Sequence, residues 1–272
     1  MSNSINTNLG SMVALGAMRS VGQQLQVSQK QIQTGYRVAD SMDDASTFTV
    51  AQGIRGNLQA FTAVMNSLTN GTGLGAVTES ALTGISNLVN NLQAKITQLS
   101  DGAIGNDQRT IYAADFNAMT NQISTFIAQA KYNGVNLLSN NSTARTFLAD
   151  VTASTITVAS QSTVNTAFTA FQASSVSSVS AATAALTSLT TFRAAVSAAL
   201  GGNAADTRTL RLQSNLLNAI VDSTGQGLGA VVDADIGKAS AVAQSRQVQQ
   251  QLAVQQLSVA NQQPQLILGI VR

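Results

Sequence analysis

Asp40, Asp43 and Asp44, together with Arg37, make the only cluster of titratable side chains in this sequence, in the run TGYRVADSMDD at Thr34–Asp44. Carboxylates at such spacing can converge on a cation, or accept hydrogen bonds from the free amides that open a helix. With Arg37 beside them the run reads as a solvated joint, and Asp43 or Asp44 as the N-cap of the helix that follows. The remaining charges, out of 12 acidic and 14 basic side chains in all, are scattered singly, and no two sit at catalytic spacing. Histidine and cysteine are absent. That removes the commonest acid–base group, the thiol nucleophile, disulfides and the HExxH metal motif. The sequence therefore predicts no enzyme, no cofactor and no metal.

What surrounds that joint is polar but weakly charged. Charged residues make up 10% of the chain, hydrophobic ones 44%, and the net charge is +2. A surface covered by Ser, Thr, Asn and Gln repels its neighbours weakly, which suits a subunit that packs against copies of itself. No basic stripe marks a nucleic-acid footprint. No stretch approaches eighteen consecutive apolar residues, so no membrane span is expected. The opening MSNSINTNLG lacks the basic start and apolar core of a cleaved secretory signal. The Asn-Gly-Thr at Asn70 and the sequons at Asn140 and Asn141 read as chance in an Asn-rich chain.

The elements that must position these residues follow from periodicity. Ala51, Ile54, Leu58, Phe61, Met65, Leu68, Thr72, Gly75, Thr78, Leu82, Ile85, Val89, Leu92, Ile96 and Leu99 recur at alternating steps of three and four. This predicts one helix about 70 Å long. Its weak point is NGTGLG at Asn70–Gly75, where each glycine costs about 1 kcal/mol and Leu74 and Val77 must carry the core. Before the joint, Ile5–Gln33 reads as a thin helix with Ala14, Ala17, Val21, Leu25, Ser28 and Ile32 on one face. After Leu99, Asn106 or Asp107 is expected to cap a helix bearing Phe116, Met119, Ile123, Phe126 and Ala130, folded back antiparallel and stopped at Tyr132-Asn133-Gly134.

Alternation over Phe147–Val151 and Thr155–Val158 predicts a short hairpin, with the Ser/Thr-rich stretch to Ser180 as its exposed continuation. The helical stripe returns at Leu186, Leu189, Arg193, Val196, Leu200, Asn203, Thr207, Leu210, Ser214, Leu217 and Val221, unbroken over Gly201-Gly202. Gly225, Gly227 and Gly229 are expected to form a second joint. Last comes a glutamine-rich helix, Lys238–Gln262, with Ala241, Val248, Gln255 and Gln262, and Ser245, Leu252, Val259 and Leu266, as its heptad seam, ended by Pro264. The fold class is mainly α: a long antiparallel helical bundle with a small β-hairpin and the two terminal helices paired as a coiled coil.

Five stretches in their order resemble bacterial flagellin: SINTN at Ser4–Asn8, TGYRVADSMDDASTFTVAQGIRG at Thr34–Gly56, NGTGLGAVTESAL at Asn70–Leu82, YNGVNLL at Tyr132–Leu138, and VDADIGKASA with ANQQPQLILGIVR at the C-terminus. The hook–filament junction protein is similar at its ends, but ANQQPQLILGIVR favours flagellin proper. The resemblance implies a subunit that polymerises with itself into the flagellar filament outside the cell. It also implies handling by an export apparatus and chaperone, and contact with hook-associated and cap proteins. Residues 1–40 with 236–272 would form the inner coiled coil lining the channel, with Leu25, Ile32, Val248, Leu252, Val259 and Leu266 as assembly residues. Residues 41–138 with 181–235 would form the core, on the stripe of Ile54, Leu58, Phe61, Leu82, Ile85 and Leu92. Residues 139–180 would be the outer segment, where Ser174, Ser175, Ser177 and Ser178 are candidate O-glycan acceptors. The chain departs from receptor-sensed forms at LQAKITQLS, where Thr97 and Gln98 stand in place of an arginine-bearing segment.

Overall fold

One helix, α2, runs from Ala45 to Leu99, straight through the three glycines of NGTGLG. The computed structural model describes the backbone of residues 7–270 and the side chains as far as Gln262. Within these, α1 spans Leu9–Thr34, α3 Asn106–Gln129, β1 Arg145–Leu148, β2 Thr155–Val158, α4 Ser162–Gln172, α5 Val179–Val232 and α6 Ile236–Ile270. The chain divides into two compact units. One joins its two ends, as far as Gly56 and from Ser223 onward, and the other spans Asn57–Asp222. These boundaries fall inside α2 and α5.

The central unit holds two apolar clusters. In the first, Leu82, Ile85, Val89, Leu92, Ile96 and Leu99 of α2 are buried against Phe116, Ile123 and Ile127 of α3 and Leu189, Phe192 and Val196 of α5. Lys95 of α2 pairs with Asp115 of α3 at 3.0 Å, and Arg193 of α5 donates to Gln93 of α2 at 2.9 Å. The face of α5 is Phe192, not the expected Arg193, which stays exposed. One residue of phase separates them, and the aromatic ring gains more by burial than the guanidinium. Arg109 of α3 caps the end of α2 by donating to the carbonyls of Leu99 and Asp101. The start of α3 is itself capped by Gly105 without a side-chain bond, so neither Asn106 nor Asp107 is its N-cap.

The stretch expected to lie exposed before Ser180 is the largest correction. Ser162–Gln172 folds as α4, and its Val164, Phe168 and Phe171 are buried in the same cluster. Phe171 stacks on Phe192 with ring centroids 5.8 Å apart and meets Phe116 edge-on at 5.7 Å. Aromatic pairs in these geometries stabilise beyond their buried area.

The second cluster joins Val64, Leu68 and Leu74 of α2 to Leu137, Val158, Leu210 and Leu217. Here the glycines have a purpose that propensity hides. A Cβ on Gly71 would meet Leu210 and Phe147 at 3.0 Å, one on Gly73 would meet the Tyr132 ring at 2.8 Å, and one on Gly75 would meet Thr207 Oγ1 at 2.2 Å. The glycines let α5, the hairpin and the YNG turn lie against α2. Asn203 then donates to the Gly75 carbonyl at 2.9 Å, a buried polar link that fixes the register of the two helices. Gly75→Ala is expected to cost about 1–3 kcal/mol by overpacking. Gly201→Ala, on an open face of α5, should stabilise by about 0.5–1 kcal/mol. Urea melts of the two variants that coincide would mean the helices do not approach this closely.

The hairpin pairs β1 antiparallel to β2, Arg145 facing Val158 and Leu148 facing Thr155. β1 ends at Leu148 because Asp150 turns the chain, accepting from the amides of Thr152 and Ser154 and from the Thr152 hydroxyl.

Two more sequence expectations fail on helix breakers. Gly225, Gly227 and Gly229 lie within α5, which ends only at Val232, and α6 continues through Pro264 to Ile270. Summed packing and the neighbouring hydrogen bonds outweigh a local cost of about 1 kcal/mol per glycine.

Candidate assembly surfaces

The end unit is built on α1 and α6. Asn8 caps α1, its Oδ1 accepting from the Ser11 amide at 3.0 Å, and its Nδ2 donates to the Ala260 carbonyl at 2.7 Å. At the other end of the pair, Tyr36 bridges Asp233 antiparallel, the Arg37 amide donates to the Val232 carbonyl at 2.7 Å, and the Ala234 amide donates to the Gly35 carbonyl at 2.9 Å. The start of α1 thus meets the far end of α6, and the two run antiparallel. Gly35, at φ 74, supplies the left-handed C-cap that stops α1.

The acidic joint folds as a set of caps. Lys30 of α1 reaches Asp40 and Asp43, each at 2.7 Å. Asp43 also accepts from the Ala39 amide at 3.0 Å, and Asp40 from the Met42 amide at 2.9 Å. Asp44, not Asp43, is the N-cap of α2, accepting from the amides of Ser46 and Thr47 and the Thr47 hydroxyl. Val38 is buried, and Arg55 of α2 lies 5.9 Å from the centre of the Tyr36 ring. No group of three or more metal-ligating side chains occurs among the described residues.

Hydrogen bonds from Lys30 hold Asp40 and Asp43 below their ordinary pKa of 3.8, and the same bonds raise Lys30. The Thr47 hydroxyl lowers Asp44. A depressed carboxylate stabilises the fold fully above its unfolded pKa and loses that contribution as pH falls through the folded value. The joint is therefore expected to loosen only below about pH 4, with Lys30→Ala blunting the acid transition. Limited proteolysis at Ser41–Met42 against pH reads this directly; cleavage that rises already between pH 7 and 5 would contradict it.

The seam between α1 and α6 differs in phase from the expected heptads. On α6, Ala239, Ala243 and Ala253 are buried, and Arg246, Gln250, Leu257 and Ala260 half-buried, at steps of three and four. On α1 the matching face holds Leu25 and Ser28 buried, with Ala14, Met18 and Val21 half-buried. Val248, Leu252 and Val259, expected at the seam, stand 55%, 52% and 61% exposed, and Ile32 is 36% exposed. The side chain of Leu266 lies outside the described residues. Alanines let two helix backbones approach closely, so on α6 the row richest in alanine took the inside and Val248, Leu252 and Val259 were left out. On α1, Leu9, Met12, Val13 and Val27 are exposed as well. Leu252, Gln255, Gln256, Val259 and Ala260 line an open groove of about 410 Å³ on α6. The signal missed in the sequence was the alanine spacing itself.

Along α2, Leu82, Ile85 and Leu92 are fully buried, whereas Ile54, which falls in the end unit, and Leu58 and Phe61 of the central unit are half-buried. Ser175, Ser177 and Ser178 are exposed between α4 and α5, and Ser174 is half-buried. Ser178 is already engaged, its Oγ accepting from the Ala181 amide at the start of α5. Ser175 and Ser177 share one hydroxyl bond at 2.9 Å.

The family model for the bacterial flagellin N-terminal helical region matches residues 5–143, half of the chain. This chain belongs to the bacterial flagellin family. It is 32% identical to flagellin FljK of Caulobacter vibrioides, over 99% of each chain. It is 31% identical to a flagellin of Brucella melitensis, again over 99% of each. The crystal structure of Bacillus cereus flagellin overlaps 58% of this chain and 88% of its own at 16% identity, with a TM-score of 0.44. The flagellin family is structural: its members polymerise into the extracellular filament of the flagellum, and this chain is such a subunit. The relatives favour the filament subunit over the hook–filament junction protein.

Proposed function

We propose that neighbouring copies of this flagellin cover the outward apolar residues of α1 and α6, and that residues 1–40 and 236–272 line the filament channel. Ile32, Val248, Leu252 and Val259 then act as contacts between subunits, not within one. The observation that carries this is their exposure on a helix pair whose own seam is mostly Ala, Ser and Gln. A row of this kind gains by burial about 25 cal/mol per Å² once a second copy covers it. Residues 41–138 and 181–235 carry the core, α4 belongs with them, and the outer segment shrinks to the hairpin and the Ser174–Ser178 loop. Export without a cleaved signal, a chaperone, and hook-associated and cap partners follow from the family resemblance. Ser175 and Ser177 are the acceptors that a sugar could take at least cost, because Ser178 caps α5 and Ser174 is half-buried.

The test is to salt out the purified protein, view it by electron microscopy, and weigh the subunits by mass spectrometry. Tubular filaments are expected from the full chain and none from Leu252→Asp/Val259→Asp, with the central unit melting unchanged. Filaments from the double aspartate variant would remove α6's outward face from the contact. A hexose-bearing peptide, if present, should map to Ser175 or Ser177; a sugar on Ser178 would contradict the assignment.

A further inference from the structure

We propose that Asn8 and Pro264 form a clasp that holds the register of α1 against α6 at the end of the pair away from the joint, and with it the apolar residues those helices turn toward other copies there. The second clause rests on the filament reading; the clasp itself does not. In a regular helix the Ala260 carbonyl would accept the amide four residues on. Residue 264 is the only proline in the sequence and has no amide hydrogen, yet α6 continues to Ile270. The Ala260 carbonyl therefore lacks the amide that a regular helix would give it. Asn8 supplies one from 252 residues away, its Nδ2 lying 2.7 Å from that oxygen, while its Oδ1 caps α1.

The clasp matters because the other ties lie at the opposite end of the pair, where backbone bonds join Gly35 and Arg37 to Ala234 and Val232. Toward the chain ends the seam offers small and flexible side chains such as Ala14, Met18, Gln250 and Ala253, so a polar link there holds the far turns in register, as a single polar seam residue does in a coiled coil. In any slipped register the Ala260 carbonyl would lose its partner, which carries the penalty of an unsatisfied acceptor. Gly10 completes the fit: a Cβ there would lie 3.8 Å from the Ala260 Cβ, so the backbones are nearly in contact. The arrangement also gives a physical reason for two separate stretches of sequence to occur together, since Asn8 ends SINTN and Ala260 to Pro264 lie in ANQQPQ.

The sequence contains no cysteine, so Gly10→Cys/Ala260→Cys provides a clean register probe, its Cβ separation falling in the range of roughly 3.5–4.5 Å that disulfides use. The initial rate of disulfide formation in the full chain is compared in four backgrounds. Asn8→Ser keeps a capping oxygen but is too short to reach Ala260, and is expected to slow the reaction about fivefold. Pro264→Ala gives the Ala260 carbonyl a donor of its own in every register and so removes the preference; it should slow the reaction about as much as Asn8→Ser does, and the two together no further. Equal rates in all four backgrounds, no cross-link in any, or two substitutions whose effects simply multiply would each overturn the clasp. Filament formation is scored separately: a full chain that makes no filaments counts against the filament reading and leaves the cross-linking result standing.

Discussion

A chain ending at Lys238 is expected to form no filaments at any concentration that assembles the full protein, while its central unit melts at an unchanged temperature. The deletion removes nearly all of α6, which begins at Ile236, and with it both the alanine seam and the outward row of Val248, Leu252 and Val259. Left alone, α1 has only Leu25 and Ser28 as buried residues to lose, and an isolated helix of 26 residues with a thin apolar face is marginal in water. Ordering each of its residues costs about 1.5 kcal/mol, and no partner remains to offset that. The two clusters of the central unit draw on residues from Val64 to Leu217 and lose nothing. Electron microscopy and a thermal melt decide it. Filaments from this chain would place the subunit contacts in the central unit and dismiss the role proposed for the ends.

Leu82→Asp should have the largest effect on folding. Leu82 and Ile85 are both at 0% exposure, packed in the cluster that α3, α4 and α5 close over α2. An uncompensated carboxylate there costs roughly 3–5 kcal/mol, which for a domain of this size lowers the melting temperature by roughly 10–15 °C. Leu212→Asp is the control: Leu212 lies on α5 with 63% of its surface exposed, and surface changes of this kind stay within about 0.5 kcal/mol. Circular dichroism melts read both. A Leu82→Asp protein that melts like the control would show that the stripe of α2 buries a different face.

Much of this architecture lies in local patterns. The three-four stripe of α2, the continuity of α5 over Gly201-Gly202, the second strand, and an acidic N-cap before α2 are all readable because each depends on residues within one or two turns. The five flagellin-like stretches were readable for the same reason. What tertiary structure alone decided involves choices between faces or between chain segments. Val164, Phe168 and Phe171 stand at helical spacing, but the hydroxyls around them hide the signal until Phe192 and Phe116 are seen to receive the rings. Gly71, Gly73 and Gly75 read as weakness in a helix, and become contacts only once Leu210, Tyr132 and Thr207 lie against them. On α6 both the alanine row and the valine–leucine row have a seam's period. Periodicity says that one face is buried, but the closeness of the partner backbone decides which, and close approach favours small side chains. Pro264 ends a helix considered alone, but α6 continues past it, and the Ala260 carbonyl that its ring deprives of an amide is met by Asn8.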